Sequence, residues 1–369
     1  MSLARQLTYG ILLVGVAGAL AEGGVRLDDY WRLGIPLLAT PGYDDLLVHD
    51  SLGTHGAPNG RYRELRLNSA GFRSPESSLS PPPGCVRVMT LGASETFGTG
   101  SGAPGNEFPA QLQDTLATHG CYRVLNAAMV GATLRSLIPY WKAWASRYHP
   151  DIVVVVTSPS LYAGDNPMPA VKALPNPPRA PQPVAAAGRR IQLESRFAER
   201  VHWFLHVPDF IQEVRVQNHL RELTGNRSAD WYFAALPPDR LNAYRADLDS
   251  MVAAIRAAGA QPVVAAYPMR FGRTLTVNDS ATMASWRQYS ARATPQAMLD
   301  FMWAARDTVL GLGRRDSFAV VDLPPALNGH AENFDDAVHY TPLGAKRVAG
   351  LIARVVLEVR PPLATAEQK

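Results

Sequence analysis

The chain of 369 residues lacks most of the sequence features that mark nucleic-acid-binding, metal-dependent and nucleotide-dependent proteins. Its formal net charge is +4, with both signs spread along the chain and no run of five like charges. A nucleic-acid-binding surface needs basic residues clustered on one element, so nucleic acid is not an expected partner. The motifs HExxH, CxxC and GxxxxGK[ST] are absent, and the nine histidines are scattered. We therefore expect no metal site and no bound cofactor.

Cysteine is also scarce: the chain has only Cys85 and Cys121, each at the start of an apolar segment. If CVRVMTLG and CYRVLNAA form neighbouring parallel strands in register, the two Cα atoms lie about 5 Å apart, close to what a disulfide requires. We expect a disulfide between Cys85 and Cys121, which an oxidising compartment would preserve. Two buried free thiols are the alternative.

The first 22 residues have the pattern of an export signal. Arg5 precedes an uncharged run at residues 7–21, and the first acidic residue is Glu22. Residues 19–21, Ala-Leu-Ala, fit a cleavage site, although the run is short for a membrane span of about 20 residues. A cleaved signal, a retained anchor and a buried helix are all open. We favour the anchor, with Arg5 in the cytoplasm and the remaining chain outside.

From residue 85 onward, short apolar segments alternate with amphipathic ones. Five apolar segments have the composition of β-strands: residues 86–92, 122–128, 151–157, 262–268 and 318–324. The third contains four consecutive valines, which is typical of a strand buried on both faces. Five strands alternating with helices indicate a parallel sheet covered by helices on both sides.

One segment, at about residues 164–235, interrupts this alternation after the third strand. It holds seven prolines between Pro167 and Pro183, followed by an aromatic-rich, helix-like part. Ligands bind at the carboxyl ends of strands in open α/β sheets. The insertion is therefore either a lid or sugar platform, or a packed helical cap without ligand contact. The predicted organisation comprises a signal anchor or signal peptide (1–22), an extended lead-in that packs on the core (23–84), the α/β domain (85–360) and a tail (361–369).

The segment LGASETFGTG, residues 91–100, places Ser94 at the carboxyl end of the first predicted strand. A serine in such a turn has an exposed Oγ and a backbone N–H that can bind an oxyanion. The turn is not a GxSxG elbow, because Thr96 stands two residues after Ser94. Taken alone, this segment fits a nucleophile, a phosphate-binding turn or a tight loop.

Asp336 and His339 lie three residues apart, directly before the last predicted helix. A carboxylate in that position can accept the Nδ1–H of His339 and leave Nε2 as a general base. The alternative is a helix-capping aspartate beside a surface histidine. Together with Ser94, the pair predicts a nucleophile, a base and an orienting carboxylate at one sheet edge, with Asp335 as the second choice of carboxylate.

Three segments resemble consensus blocks of the SGNH/GDSL hydrolase family, in the order that the family has them. They are GASETFG around Ser94, NAAMVGAT around Gly131 and DAVH at residues 336–339. The resemblance implies a flavodoxin-like three-layer α/β/α sandwich and ester chemistry through an acyl-serine intermediate. By this match Ser94 attacks, His339 transfers the proton and Asp336 orients His339.

The lead-in contains Asn68, Gly71, Phe72 and Arg73 after a single N-terminal apolar helix. In this it resembles membrane-anchored members found among bacterial envelope and exopolysaccharide proteins. The implied location is the bacterial inner membrane, single-pass, with the catalytic domain in the periplasm, or secretion to the periplasm if the signal is cleaved.

The sequence departs from the family at the third block, which normally reads GxND and supplies an asparagine to the oxyanion. Here the third strand ends VVVVTSPSLYAGD, without an asparagine. The resemblance implies oxyanion donors in the backbone N–H groups of Ser94 and Gly131, with a hydroxyl of Ser160 or Ser158 as the substitute. Losing one such donor costs about 3 kcal/mol of transition-state stabilisation. Further polar candidates near the site are Asn126, Arg135, Tyr162 and Asp165.

Three functions are compatible with the sequence. The first is an esterase that removes acetyl or other short acyl groups from an envelope or secreted glycan. The second is a polysaccharide O-acyltransferase with the same triad, in which a sugar hydroxyl replaces water. The third, suggested by the missing asparagine, is a non-catalytic glycan-binding or scaffold protein. The expected partners are an acylated carbohydrate or other ester, the inner membrane and, as a further class, proteins of an exopolysaccharide pathway.

Overall fold

The computed structural model describes residues 3–39, 42–50, 53–164, 195–204, 209–225 and 227–359. Its helices are α1 (Leu3–Leu33), α2 (Ser94–Phe97), α3 (Phe108–Ala117), α4 (Leu134–Ala143), α5 (Arg196–Phe204), α6 (Asp209–Thr224), α7 (Pro238–Ala257), α8 (Ser280–Arg287), α9 (Pro295–Asp316), α10 (Pro324–Leu327) and α11 (Pro342–Glu358). Its strands are β1 (Leu47–Asp50), β2 (Gly53–Gly56), β3 (Arg61–Tyr62), β4 (Leu65–Arg66), β5 (Val86–Leu91), β6 (Tyr122–Asn126), β7 (Ile152–Val156), β8 (Gln261–Ala266) and β9 (Ala319–Asp322).

Strands β5 to β9 form one parallel sheet in the order β6-β5-β7-β8-β9. This confirms the predicted five-stranded parallel sheet. Every residue of β7 is buried, as its run of valines predicts for a strand covered on both faces. Because β5 lies between β6 and β7, the loops after these three strands meet at the same edge of the sheet.

Apolar side chains of each strand alternate between two cores, one on each face of the sheet. In β5, Val86 and Val88 face the core that α3 and α11 cover. Met89 and Leu91 face the opposite core, to which α4, α7 and part of α9 contribute. Two helical layers around one sheet confirm the predicted three-layer α/β/α architecture.

A disulfide joins Cys85 and Cys121, whose Cα atoms are 4.6 Å apart. The parallel register pairs Val86 with Tyr122, which places the two preceding residues opposite each other. The cross-link spans 36 residues of chain, and the turn that carries Ser94 lies inside this loop.

Helix α1 extends beyond the boundary predicted at residue 22. Its stretch Arg5–Leu33 is long and apolar enough to cross a membrane, a property that signal sequences near an N-terminus share. The helix ends where Gly34 adopts a positive φ of 65° and Pro36 follows, which is a common helix terminus. The apolar side chains of the first part are exposed, for example Leu13 and Val14.

Charged side chains hold the second part of α1 against α5. The Glu22 carboxylate accepts hydrogen bonds from the backbone N–H groups of Arg196 (3.1 Å) and Phe197 (2.9 Å), at the start of α5. Burial opposes the charge of Glu22, but these bonds and those from Ser195 and Arg26 lower its pKa to about 2. The predicted anchor helix and the predicted insertion are thus in direct contact.

Helix α6 of the insertion packs against α8. Its proline-rich part, including Asp165, lies outside the described residues. On α6, Leu220 packs against Ala284 of α8 and against Ala291. Helix α8 itself does not appear in the sequence-based prediction, because its eight residues are too short and too mixed in polarity to give a clear periodicity.

Candidate active site

The Ser94 turn connects β5 to the short helix α2. Gly92 is required there, since a Cβ at this position would lie 2.1 Å from Thr96 Oγ1. Ser94 is the first residue of α2, so its backbone N–H has no acceptor within the helix. The helix ends at Gly98, which adopts a positive φ of 96°.

Two buried polar side chains, Arg73 and Asn126, donate hydrogen bonds to backbone carbonyl groups at the end of α2. Arg73 Nη1 donates to the carbonyl oxygens of Phe97 (2.9 Å) and Gly98 (3.0 Å). Asn126 Nδ2 donates to the carbonyl oxygens of Thr96 (3.2 Å) and Phe97 (3.3 Å). These two residues, both noted in the sequence, therefore contact the backbone of the Ser94 turn and not the space above Ser94.

The loop before α11 brings His339 to Ser94. His339 Nε2 lies 2.7 Å from Ser94 Oγ, and His339 Nδ1 lies 2.7 Å from Asp336 Oδ2. The second oxygen of Asp336 accepts the backbone N–H groups of Val338 and His339, both at 2.8 Å. The three side chains form one continuous chain of hydrogen bonds between residues 245 positions apart in the sequence.

The charges of this arrangement suit a histidine base. Burial alone would lower the pKa of His339, but the hydrogen bond to Asp336 and the nearby charges of Asp336, Glu95 and Asp335 outweigh it and raise the pKa. Burial would raise the pKa of Asp336, but the hydrogen bonds from His339 and Val338 outweigh it and lower the pKa. The ion pair is therefore favoured, with Asp336 ionised.

Asp335, the alternative candidate for the carboxylate that orients His339, lies beside Gly100. Its backbone N–H donates to the His339 carbonyl at 2.8 Å. Its side chain lies beside Gly100, where a Cβ would come within 3.3 Å of Asp335 Oδ2 and 3.2 Å of His339 Cβ. Between the two aspartates, Asp336 is the one that contacts the imidazole ring.

A cavity of about 370 Å³ opens beside Ser94 and His339, and its lining includes Gly131, Ser158 and Ser160. Gly131 adopts a positive φ of 72° in the loop after β6. Ser158 follows β7, but its hydroxyl donates to Glu95 Oε1 at 2.8 Å. A hydroxyl carries one proton, so Ser158 cannot donate to an oxyanion while this bond is made.

Among the described residues, the aromatic wall of the cavity comes from the segment after β8. Trp286 and Tyr289 line it, Trp286 stacked on Phe271 at 5.7 Å and Tyr289 81% exposed. The sequence-based alternative of a lid or sugar platform in the insertion is not seen among the described residues, where Trp231 and Phe233 instead pack on the guanidinium of Arg292. Side chains of the first aromatic helix of the insertion lie partly outside the described residues.

Two other polar candidates, Tyr162 and Arg135, bind the same carboxylate and do not line the cavity. Tyr162 donates its hydroxyl to Asp247 Oδ2 at 2.8 Å, and Arg135 Nε donates to the same carboxylate oxygen at 3.1 Å. Both side chains therefore link α4 and the loop after β7 to α7. In the described part of the chain, no group of three or more His, Cys, Asp or Glu side chains is arranged to hold a metal ion.

Sequence analysis did not identify Glu95, Tyr267, Thr282 or Ser285, which also line the cavity. For Glu95 a signal was present, because a carboxylate directly after a predicted nucleophile is unusual in a buried turn. For the residues of α8 there was none, since no pattern connected that segment to the site.

No protein-family model matches the sequence, and no curated protein matches it. Among solved structures, the chain is similar to a lipase/acylhydrolase from Enterococcus faecalis, with 14% identity, a TM-score of 0.42, and 76% of this chain and 100% of that chain covered. It is also similar to a catalytic mutant of an acetylxylan esterase from Geobacillus stearothermophilus, with 14% identity, a TM-score of 0.42, and 73% and 94% covered. A protein described as lipolytic and of the G-D-S-L family, from Desulfitobacterium hafniense, has 13% identity, a TM-score of 0.41, and 73% and 99% covered.

Proposed function

We propose that this protein is a serine ester hydrolase in which Ser94, His339 and Asp336 act as the catalytic triad. The observation that carries the proposal is the unbroken contact from Ser94 Oγ through the imidazole to Asp336, with both distances 2.7 Å. A nucleophile and base within hydrogen-bond reach, with the base oriented by a third group, define activated serine nucleophiles.

The steps of the reaction follow from this geometry. His339 Nε2 takes the proton of Ser94 as Oγ attacks the ester carbonyl carbon, and the imidazolium then protonates the leaving alkoxide. Water, deprotonated by the same nitrogen, attacks the acyl-serine. The bond between the acyl carbon and Ser94 Oγ then breaks, the imidazolium returns its proton to Oγ, and the acid is released. The backbone N–H groups of Ser94 and Gly131, with the Ser160 hydroxyl, are the proposed donors to the oxyanion, because all three residues border the cavity.

The cavity favours a short acyl group on an uncharged, hydroxyl-rich carrier such as an O-acetylated glycan. Its volume of about 370 Å³ is at the small end for ligand pockets. No lysine or arginine lines it among the described residues, so a phosphorylated or carboxylated carrier would meet no cation. The hydroxyls of Thr282 and Ser285 can hydrogen-bond sugar hydroxyls, and the exposed ring of Tyr289 can pack on a pyranose face.

A fluorophosphonate serine probe tests the nucleophile directly. We expect the wild type to be labelled and Ser94→Ala to be unlabelled. Ser250→Ala is the matched control and should be labelled like the wild type, because the Ser250 hydroxyl lies on the surface and donates to the Ala246 carbonyl. Labelling that survives in Ser94→Ala would exclude Ser94. No labelling of the wild type, with no ester hydrolysis, would instead support a non-catalytic glycan-binding protein.

Hydrolysis and transfer share the acyl-serine and differ in what attacks it. Incubating the wild type with chromogenic acetyl, butyryl and octanoyl esters, with and without an oligosaccharide, separates them. We expect acetyl to be the best substrate and free acetate to be the main product. Acetyl found on the sugar would identify a polysaccharide O-acyltransferase.

We also infer that α1 anchors the protein in the bacterial inner membrane with the catalytic domain in the periplasm. The exposed apolar part of α1, the cation Arg5 before it and a disulfide in the domain support this orientation. The test is carbonate extraction of membranes combined with protease treatment of spheroplasts. Recovery in the soluble fraction, or protection of the domain from protease, would contradict the inference.

A further inference from the structure

A buried carboxyl group lies directly behind the nucleophile. Glu95 is only 2% exposed, and no lysine or arginine pairs with it in the described part of the chain. Burying a carboxyl without a cation is costly unless hydrogen bonds compensate. The triad mechanism assigns no step to this group, so its presence needs a separate explanation.

One oxygen of Glu95 receives hydrogen bonds from two different elements. Oε1 accepts the backbone N–H of Ala93 at 3.1 Å and the hydroxyls of Thr96 at 3.3 Å and Ser158 at 2.8 Å. Burial raises the pKa of Glu95, and the hydrogen bonds from its own backbone N–H, from Ser158 and from Ala93 only partly offset the effect. Ala93 lies in the turn before the nucleophile, and Ser158 follows β7.

Capping of α2 alone does not explain these contacts. The residue before α2 is Ala93, which has no side-chain cap, and a serine or aspartate at that position would cap the helix without a buried carboxyl. Only a longer side chain from position 95 reaches the end of β7 as well. Strands β5 and β7 are neighbours, so this oxygen ties together the two strand ends that flank the cavity.

We propose that Glu95 is a positioning residue: its Oε1 ties the turn that carries Ser94 to Ser158 and so keeps the Ser94 hydroxyl in line with His339. This role rests on the proposed ester chemistry of Ser94. It depends on an oxygen acceptor at Oε1 and not on negative charge, because both Ala93 N–H and Ser158 O–H are donors. Tyr267 also hydrogen-bonds to Glu95.

The test compares Glu95→Gln, which keeps an acceptor oxygen, with Glu95→Leu, which removes it. On a chromogenic acetyl ester we expect Glu95→Gln to keep kcat within about threefold. We expect Glu95→Leu to lower kcat about 100-fold with KM changed less than about threefold, the size of effect that small misplacements of reacting groups produce. Adding Ser158→Ala to Glu95→Leu should cause no further loss, because both changes remove the same link.

Two outcomes would overturn the proposal. One is equal loss in Glu95→Gln and Glu95→Leu, which would assign the effect to charge; the other is a Glu95→Leu variant as active as the wild type. If Glu95→Leu does not fold, Ser158→Ala must lower kcat while Ser158→Thr, which keeps the hydroxyl, must not. An unlabelled and inactive wild type would refute the proposed function itself, whereas an active wild type with unaffected variants would refute only the role of Glu95.

Discussion

Replacing Asp336 by asparagine gives the sharpest test of the proposed triad, because the structure dictates how the new amide must sit. Asp336 Oδ1 accepts two backbone N–H groups at 2.8 Å, so the amide oxygen has to take that place. The amide NH2 is then directed at His339 Nδ1, where Oδ2 now lies at 2.7 Å. A donor at this position forces Nδ1 to be the acceptor and moves the proton of the neutral imidazole to Nε2.

With its proton on Nε2, His339 becomes a donor to Ser94 and is no longer a base. The loss in a triad with the wrong tautomer is about four orders of magnitude in kcat, or about 5 kcal/mol. We therefore expect Asp336→Asn to reduce kcat for a chromogenic acetyl ester about 10⁴-fold, with unchanged thermal stability to within a few degrees.

Asp335→Asn is the matched control, since Asp335 is the adjacent carboxylate and influences His339 only as a nearby charge. We expect this variant to keep kcat within about fivefold. An Asp336→Asn variant within tenfold of the wild type, or an Asp335→Asn variant with the larger loss, would refute the assignment of Asp336.

Because the pKa of His339 is raised and catalysis needs its neutral form, kcat/KM should fall as the pH drops through a midpoint above about 6.5; a midpoint below 6 in a pH–rate profile would contradict this. Replacing Cys85 and Cys121 by serine should lower the free energy of unfolding by about 4 kcal/mol, which is the loop-entropy value for a separation of 36 residues. Urea titration measures this change. A change below about 1 kcal/mol would show that the cross-link is absent or that its loss is compensated. Gly100→Ala and Gly102→Ala both place a side chain at a positive φ, but only Gly100 lies against His339. Only Gly100→Ala should therefore slow fluorophosphonate labelling, by about tenfold. Equal labelling rates in the two variants would argue against the contact between Gly100 and His339.

The parts of the fold that sequence predicts are those with a local physical signature. The valine run of β7 has one interpretation, because only a strand covered on both faces needs so continuous an apolar surface. The Ser94 and His339 segments were predicted to meet because strand ends in a parallel sheet share an edge. The structure places them 2.7 Å apart, within a single hydrogen bond.

The parts that sequence does not predict depend on contacts between distant segments. Trp286 and Tyr289 line the cavity because a loop after β8 returns over the sheet edge, and nothing within residues 280–290 indicates that return. The bond between Ser158 and Glu95 changes what Ser158 can do, from a candidate oxyanion donor to a hydroxyl whose proton is committed. The acceptor to which a hydroxyl donates its proton is decided by its neighbours, and a single sequence does not identify them.

The same geometry separates the chemistry of the site from its selectivity. The triad is held by β5, α2 and the loop before α11, all elements of the α/β core. The aromatic wall belongs to α8 and the residues after it, and α6 of the insertion packs behind that wall through Leu220 and Ala284. None of the described residues of the insertion lines the cavity, and α6 is linked to it through α8. Changes in the insertion are therefore free to alter which carrier fits beside Tyr289 while Ser94 and His339 keep their contact, so that labelling by a small serine probe and preference among glycan esters should vary independently.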